Sequence, residues 1–222
     1  MITLYHCLSA RSFRVLWTLE ELGLPYRLNM LPFPPRMLAR DYLDINPLGT
    51  VPAFFDGDMK MTESAAICEY LVVKYGPSPL HVGPDEAGFG PYLNWLDFGE
   101  ATLTVPQTIV LRYRHFESPE RRLPQAAEDY QRWFLARLRA VDAVVSVQDY
   151  LCARRFTAAD ISVGYALMLA EFLGLEPQFS PAVRAYWNRL KARDGYARAL
   201  EAQQRAALEQ GVSTVPAPLS GN

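Results

Sequence analysis

The spacing of the apolar residues changes once along this chain, and that change limits the folds open to it. Up to about residue 76, short strand-like runs alternate with helices. Ile2–Tyr5 and Tyr26–Leu31 read as strands, while Val15, Leu16, Leu19 and Leu22 share one face of a helix over Arg11–Leu22 that Gly23 stops. Pro32, Pro34 and Pro35 punctuate the chain, and a short helix is expected over Arg36–Leu43. Asp56-Gly57-Asp58 is a hairpin signal between strands at Pro52–Phe55 and Met59–Met61, and a helix follows from Glu63 to about Tyr75. The order βαβαββα predicts an α/β domain over residues 1–77. Gly76-Pro77-Ser78-Pro79 and Gly83-Pro84-Asp85 then bracket a linker at 78–86, because proline cannot continue a helix.

Everything beyond the linker is helical in pattern, which predicts an all-α domain over 87–210 and a tail at 211–222. Tyr92, Leu93, Trp95 and Leu96 begin a long helix that Pro106 should kink. Tyr130, Trp133, Phe134, Leu138, Val141 and Val145 make an apolar stripe in another. Thr157 and Asp160 have capping-box spacing, with Phe156 placed to staple onto the first turn, and the helix they start is apolar nearly all round, as a buried axis should be. Two more helices, about Pro181–Lys191 and Tyr196–Glu209, complete the set.

A formal charge of −2 on 222 residues leaves no basic surplus, which argues against nucleic acid or an anionic membrane as the main partner. No run approaches the ~20 apolar residues that span a bilayer, and Met1 leads directly into a strand, so the expected location is cytoplasmic. Cys7, Cys68 and Cys152 are odd in number and far apart, so neither a disulfide framework nor a metal site is expected. Packing is the reading for Cys68 and Cys152. Cys7, near the end of the first strand, is also weighed as a nucleophile.

Asn46-Pro47-Leu48-Gly49-Thr50-Val51-Pro52 carries the first chemical signal. Proline lowers the trans preference to about 0.5–1 kcal/mol, so Val51-Pro52 is a candidate cis turn. Such a turn leaves the N–H and C=O of Val51 facing outward, where an extended peptide can pair with them as a further strand would. Glu63-Ser64 opens the next helix, and free N–H groups and the helix dipole there favour a carboxylate.

These residues resemble the N-terminal domain of the glutathione S-transferase family, in which a Val-Pro turn and a Glu/Asp-Ser pair hold the tripeptide. Leu4-Tyr5-His6, Ser9-Ala10-Arg11-Ser12 and Arg14-Val15-Leu16-Trp17 resemble the family's first strand, catalytic loop and first helix, and Phe156-Thr157-Ala158-Ala159-Asp160-Ile161 its second-domain capping motif. The resemblance implies a thioredoxin-like N-terminal domain, an all-α C-terminal domain, glutathione as cosubstrate, a small electrophilic and hydrophobic second substrate, and a homodimer. Glutathione would be bound by Ser9, Arg11, Val51, Pro52, Glu63 and Ser64. Conjugation needs the thiolate, so a hydroxyl must donate to sulfur, and Ser9 and Ser12 are the catalytic candidates. Tyr5 or a backbone amide is the alternative, and some relatives carry the hydroxyl at the position of Ala10. Helix capping by either serine remains open. Arg36 or Arg40 is a candidate for the basic contact that relatives place at Thr50. The second substrate is expected in a cleft against the helical domain, near Arg112, Tyr113 and His115. Isomerase, dehalogenase and non-catalytic members share this frame. The absence of cysteine from positions 9–12 disfavours chemistry through an enzyme thiol.

Overall fold

The computed structural model describes residues 1–219, so residues 220–222 of the predicted tail lie outside the described residues. The chain forms two compact units, one from Met1–Ser78 together with the segment from Ala192 onward, the other from Pro79–Lys191.

In the first unit, strands β1 (Ile2–His6), β2 (Tyr26–Met30), β3 (Ala53–Asp56) and β4 (Met59–Met61) form one sheet in the order β2-β1-β3-β4. β1 is parallel to β2 and antiparallel to β3, and β3 is antiparallel to β4. This is the mixed sheet of a thioredoxin-like domain, as the βαβαββα order predicts. Ile2, Leu4 and His6 point to the buried side of β1, so period two places a histidine in line with core residues. Helix α1 (Phe13–Leu22) begins two residues later than expected and ends at Gly23, which adopts a left-handed φ of 62°. The helix predicted over Arg36–Leu43 is two single turns, α2 (Pro35–Leu38) and α3 (Tyr42–Ile45), because Ala39 leaves helical geometry at φ −137°. α4 (Ser64–Lys74) packs on α1.

The last helix, which we number α10 (Asp194–Glu209), corrects the predicted domain boundary, since it belongs with the α/β unit and not with the helical one. The cause is a dense set of contacts to α1. Arg193 binds Glu21 through two bonds of 2.7 and 2.8 Å, the rings of Trp17 and Tyr196 meet at 4.9 Å, and a Cβ on Gly195 would lie 2.5 Å from Glu21 Cδ. Just past the helix, Gln210 accepts from Met30 N–H and donates to Leu28 C=O, which closes part of the free edge of β2.

The second unit is helical: α5 (Phe89–Asp97), α6 (Val105–Leu111), α7 (Pro124–Val145), α8 (Ala158–Phe172) and α9 (Pro181–Lys191). The expected long first helix is interrupted by π-helical turns at Phe98–Thr104 and Arg112–Phe116. Pro106 has no N–H for the carbonyl one turn earlier, which accounts for the break ahead of α6. Gly99 lets this segment approach α8, since a Cβ there would sit 2.4 Å from Ser162 Oγ. The α7 stripe buries Phe134, Leu138, Val141 and Val145, but Trp133 is exposed, stacked on Tyr130 and covered by the Arg137 guanidinium. α8 is buried from Ala158 to Ala170. Its start is held by Asp160, which accepts from Thr157 N–H, Thr157 Oγ, Leu151 N–H and Tyr186 Oη, all within 3.0 Å. Among the described residues no helix is long and apolar enough to cross a membrane.

Candidate functional site

Sheet register brings three loops together. Tyr5 lies opposite Ala53, and Phe54 opposite Met61, so the end of β1, the start of β3 and the end of β4 are neighbours. The sequence attaches to these ends the Cys7–Ser12 loop, the Val51-Pro52 turn and the Glu63-Ser64 entry into α4. The predicted sites in the first unit thus converge on one end of its sheet.

The Val51-Pro52 bond is cis. Thr50 C=O accepts from Tyr42 Oη at 2.6 Å and Asn46 Nδ2 at 2.7 Å, which fixes the approach to the turn. Gly49 has φ +60°, and a Cβ there would lie 2.5 Å from Arg36 Cβ, so α2 packs directly on the turn. Arg36 and Arg40 are both exposed. The ladder stops at Ala53, Val51 is half-buried, and among the described residues nothing pairs with its N–H or C=O.

Glu63 is exposed and extended, and Ser64 is the first residue of α4, buried. Arg14, fully buried in α1, donates from Nη1 to Ser64 Oγ at 3.1 Å. A guanidinium can only donate, so the proton of Ser64 is left for another acceptor.

The loop after β1 separates the two candidate serines. Ser9 is nearly buried and holds φ 54°, a left-handed conformation that costs a non-glycine residue about 1–2 kcal/mol. Its N–H donates to Gln203 Oε1 at 2.9 Å, and Gln203 Nε2 donates to Ser9 Oγ at 3.2 Å. Ser12 precedes α1 but caps nothing; its hydroxyl is 2.6 Å from His6 Nδ1. His6 Nε2 lies 3.0 Å from Gln203 Oε1. Burial holds His6 well below the usual imidazole range, at about 4, against an opposing contribution from Gln203. The ring is therefore neutral near neutral pH.

The direction of each bond follows. Ser9 N–H can only donate, so the Gln203 atom facing it is the oxygen; that oxygen makes His6 Nε2 the donor, and Nδ1 is then left to accept from Ser12. The proton of Ser12 is committed inward, whereas Ser9 accepts from Gln203 and keeps its own proton for another partner. Two of the N–H groups at the start of α1 are taken, since Phe13 N–H and Arg14 N–H bond the carbonyls of Ala10 and Arg11. Arg11 is half-buried on this loop. Tyr5 packs its ring on Tyr42 and Phe55.

Cys7 is sealed in, and burial pushes its thiol up to about 12; burial likewise raises Cys68 and Cys152 to about 11. Thiols so shifted are not nucleophiles at neutral pH, so the Cys7 alternative fails. In the helical unit Arg112, Tyr113 and His115 share one π-helical turn. Arg112 pairs with Glu117 at 2.8 Å and lies 5.4 Å from the Tyr113 ring centre, and His115 is held below its ordinary value by burial, then by Arg114 and Arg122.

Sequence reasoning missed His6, Gln203 and Arg14. A polar signal was present for two of them: His6 continues the inward alternation of Ile2 and Leu4, and Gln203 interrupts the buried run of Ala199, Ala202, Ala206 and Ala207 in α10. What pattern could not supply was their pairing across 197 positions.

A family model described as "Glutathione S-transferase, N-terminal domain" matches residues 8–72, which take in the Val51-Pro52 turn, the Glu63-Ser64 helix start and all of the first loop but Cys7. The glutathione transferase URE2P6 of Phanerochaete chrysosporium, solved in complex with oxidized glutathione, superposes with a TM-score of 0.80 at 29% identity, over 92% of this chain and 97% of that one. Ure2p5 of the same fungus, cocrystallized with 1-(S-glutathionyl)-2,4-dinitrobenzene, gives 0.80 at 25% identity over 94% and 96% of the two chains. Among curated relatives, the probable glutathione S-transferase GSTF2 of Oryza sativa subsp. japonica is 30% identical over 84% of this chain and 89% of its own length. Glutathione S-transferase 3 of Schizosaccharomyces pombe is 31% identical over 77% of this chain and 75% of its own. With a shared N-terminal domain and relatedness that runs through most of both chains, this protein belongs to the glutathione S-transferase family.

Proposed function

We propose that the protein is a glutathione transferase that holds glutathione along the Val51-Pro52 turn and activates its thiol at Ser9. The observation that carries this reading is Val51: a half-buried residue just off the end of a sheet, whose N–H and C=O have no partner among the described residues, suits an extended peptide of one or two bonds. The γ-glutamyl carboxylate fits the start of α4, where Ser64 has a proton to give and the buried Arg14 charge lies behind it; Glu63 takes the ammonium group. Arg36, beside the turn, is placed for the glycyl carboxylate. Ser9 donates to sulfur and stabilises the thiolate, which attacks a small hydrophobic electrophile. For a 2,4-dinitrophenyl halide the sulfur bonds the ring carbon, halide leaves, and the thiol proton passes to solvent. Arg112, Tyr113 and His115 are our candidates for contacts to that second substrate, Arg11 adds positive field near the thiol, and the working form is a cytoplasmic homodimer.

The test is calorimetry with glutathione, followed by thiolate ultraviolet absorbance against pH in the bound state. Binding with a bound thiol pKa below that of free glutathione is expected, and Glu63→Ala with Ser64→Ala should weaken binding at least about tenfold. Binding with an unlowered thiol would point to a non-catalytic glutathione carrier, and absence of binding would overturn both.

A further inference from the structure

We infer that Gln203 is a positioning residue for the thiol-activating serine, the third member of a buried relay that runs Ser12 to His6 to Gln203 to Ser9. The inference rests on the reading of Ser9 as the thiol's donor, and it goes further by assigning what makes Ser9 able to donate. Each group gives a proton to the next: Ser12 Oγ to His6 Nδ1 at 2.6 Å, His6 Nε2 to Gln203 Oε1 at 3.0 Å, Gln203 Nε2 to Ser9 Oγ at 3.2 Å. All four side chains are buried, Gln203 and His6 almost completely.

Two consequences follow for Ser9. A serine hydroxyl has one proton and can accept elsewhere, so a neighbour that only gives at this position leaves the proton to point away from it. Gln203 is that neighbour, because its oxygen is pinned by two N–H donors, from His6 and from Ser9 itself, and its amide cannot flip without facing donor against donor. The same amide grips Ser9 at both backbone and side chain, which holds the residue in its left-handed conformation. Hydrogen bonds aligned donor to acceptor in a chain polarise one another, so the relay also makes the terminal hydroxyl a better donor. The two serines singled out from sequence are thus the opposite ends of one device.

The experiment uses the full-length protein with glutathione as probe. The bound thiol pKa is measured for the wild type, Ser9→Ala, Gln203→Met and the double variant. Gln203→Met should raise the bound thiol pKa by about one pH unit or more and lower kcat with a 2,4-dinitrophenyl halide about tenfold, with KM for glutathione changed less than about threefold. In the Ser9→Ala background the same change should have little effect, since Gln203 acts through Ser9. Gln203→Glu covers the case in which Gln203→Met does not fold. Its carboxylate still accepts both N–H bonds but has no proton to give, so Ser9 turns its hydroxyl inward, and the part of the pKa rise that depends on Ser9 should again disappear in the Ser9→Ala background. If Ser9→Ala raises the thiol pKa while the Gln203 variants leave it alone, or act equally without Ser9, the relay is wrong and the serine reading stands. If Ser9→Ala itself leaves the bound thiol unmoved, both fall.

Discussion

Acid should weaken this protein through His6, by an amount that its surroundings set. The ring is held at about 4 in the folded chain against an ordinary value of 6.5, because burial disfavours its charged form. Between those values the unfolded chain binds more protons than the folded one, so stability rises with pH in this window and is lost as pH falls through it. The full shift corresponds to about 3 kcal/mol, of which about 2 is already lost at about pH 5. Other groups titrate in the same range, so the useful quantity is a difference. His6→Phe fills much of the same space and cannot titrate; it leaves the Ser12 hydroxyl and one Gln203 contact unmatched and should cost about 1–3 kcal/mol at about pH 7.5. Urea midpoints of both proteins, at one protein concentration, give the gap at each pH. The gap should close by about 2 kcal/mol between about pH 7.5 and about pH 5. A gap that stays constant would mean that His6 takes a proton as readily folded as unfolded, and the lowered proton affinity that burial gives the ring would be refuted.

Two further outcomes are expected. Asp160→Ala removes the acceptor of four hydrogen bonds, two of them from backbone N–H groups of Leu151 and Thr157, and should lower unfolding stability by about 3–5 kcal/mol in urea titration, while leaving glutathione affinity in any surviving folded protein unchanged. Cys7, Cys68 and Cys152 are all buried, so a thiol-specific reagent should react with none of them in the native protein and with all three in denaturant, and Cys7→Ser should retain turnover; one rapidly labelled native thiol would contradict the burial.

Local signals carried the fold a long way. Strand alternation, the Asp56-Gly57-Asp58 hairpin and the Gly23 stop each act within a few residues, and all appear where the pattern puts them. The Thr157–Asp160 pair was legible for the same reason, since a capping box is written in three residues of spacing. The helix over Arg36–Leu43 was misread because Ala39 breaks it without any proline or glycine to announce the break. The Val51-Pro52 turn and the Ser64 helix start could be read as candidate binding features, but the difference between Ser9 and Ser12 could not. That difference lies in which way each hydroxyl proton points, and the pointing is set by His6 and by a glutamine 194 positions after Ser9. The exposure of Trp133 was hidden by a helical stripe that fits it equally well.

The attachment of α10 to α1 and β2 gives the order of synthesis a physical meaning. The first 78 residues leave the ribosome long before residue 203 exists, and at about 5–20 residues per second the wait is on the order of ten seconds. Throughout that interval α1 has an uncovered flank where Trp17 and Phe13 await Tyr196, and Ser9 has no amide to hold it. The N-terminal half therefore cannot be finished first and the helical half added later. Translation has to pass Gln203 before the first loop takes the shape seen here, so a chain cut short or stalled before that residue would carry the Val51-Pro52 turn and the Ser64 helix start without the amide that holds Ser9.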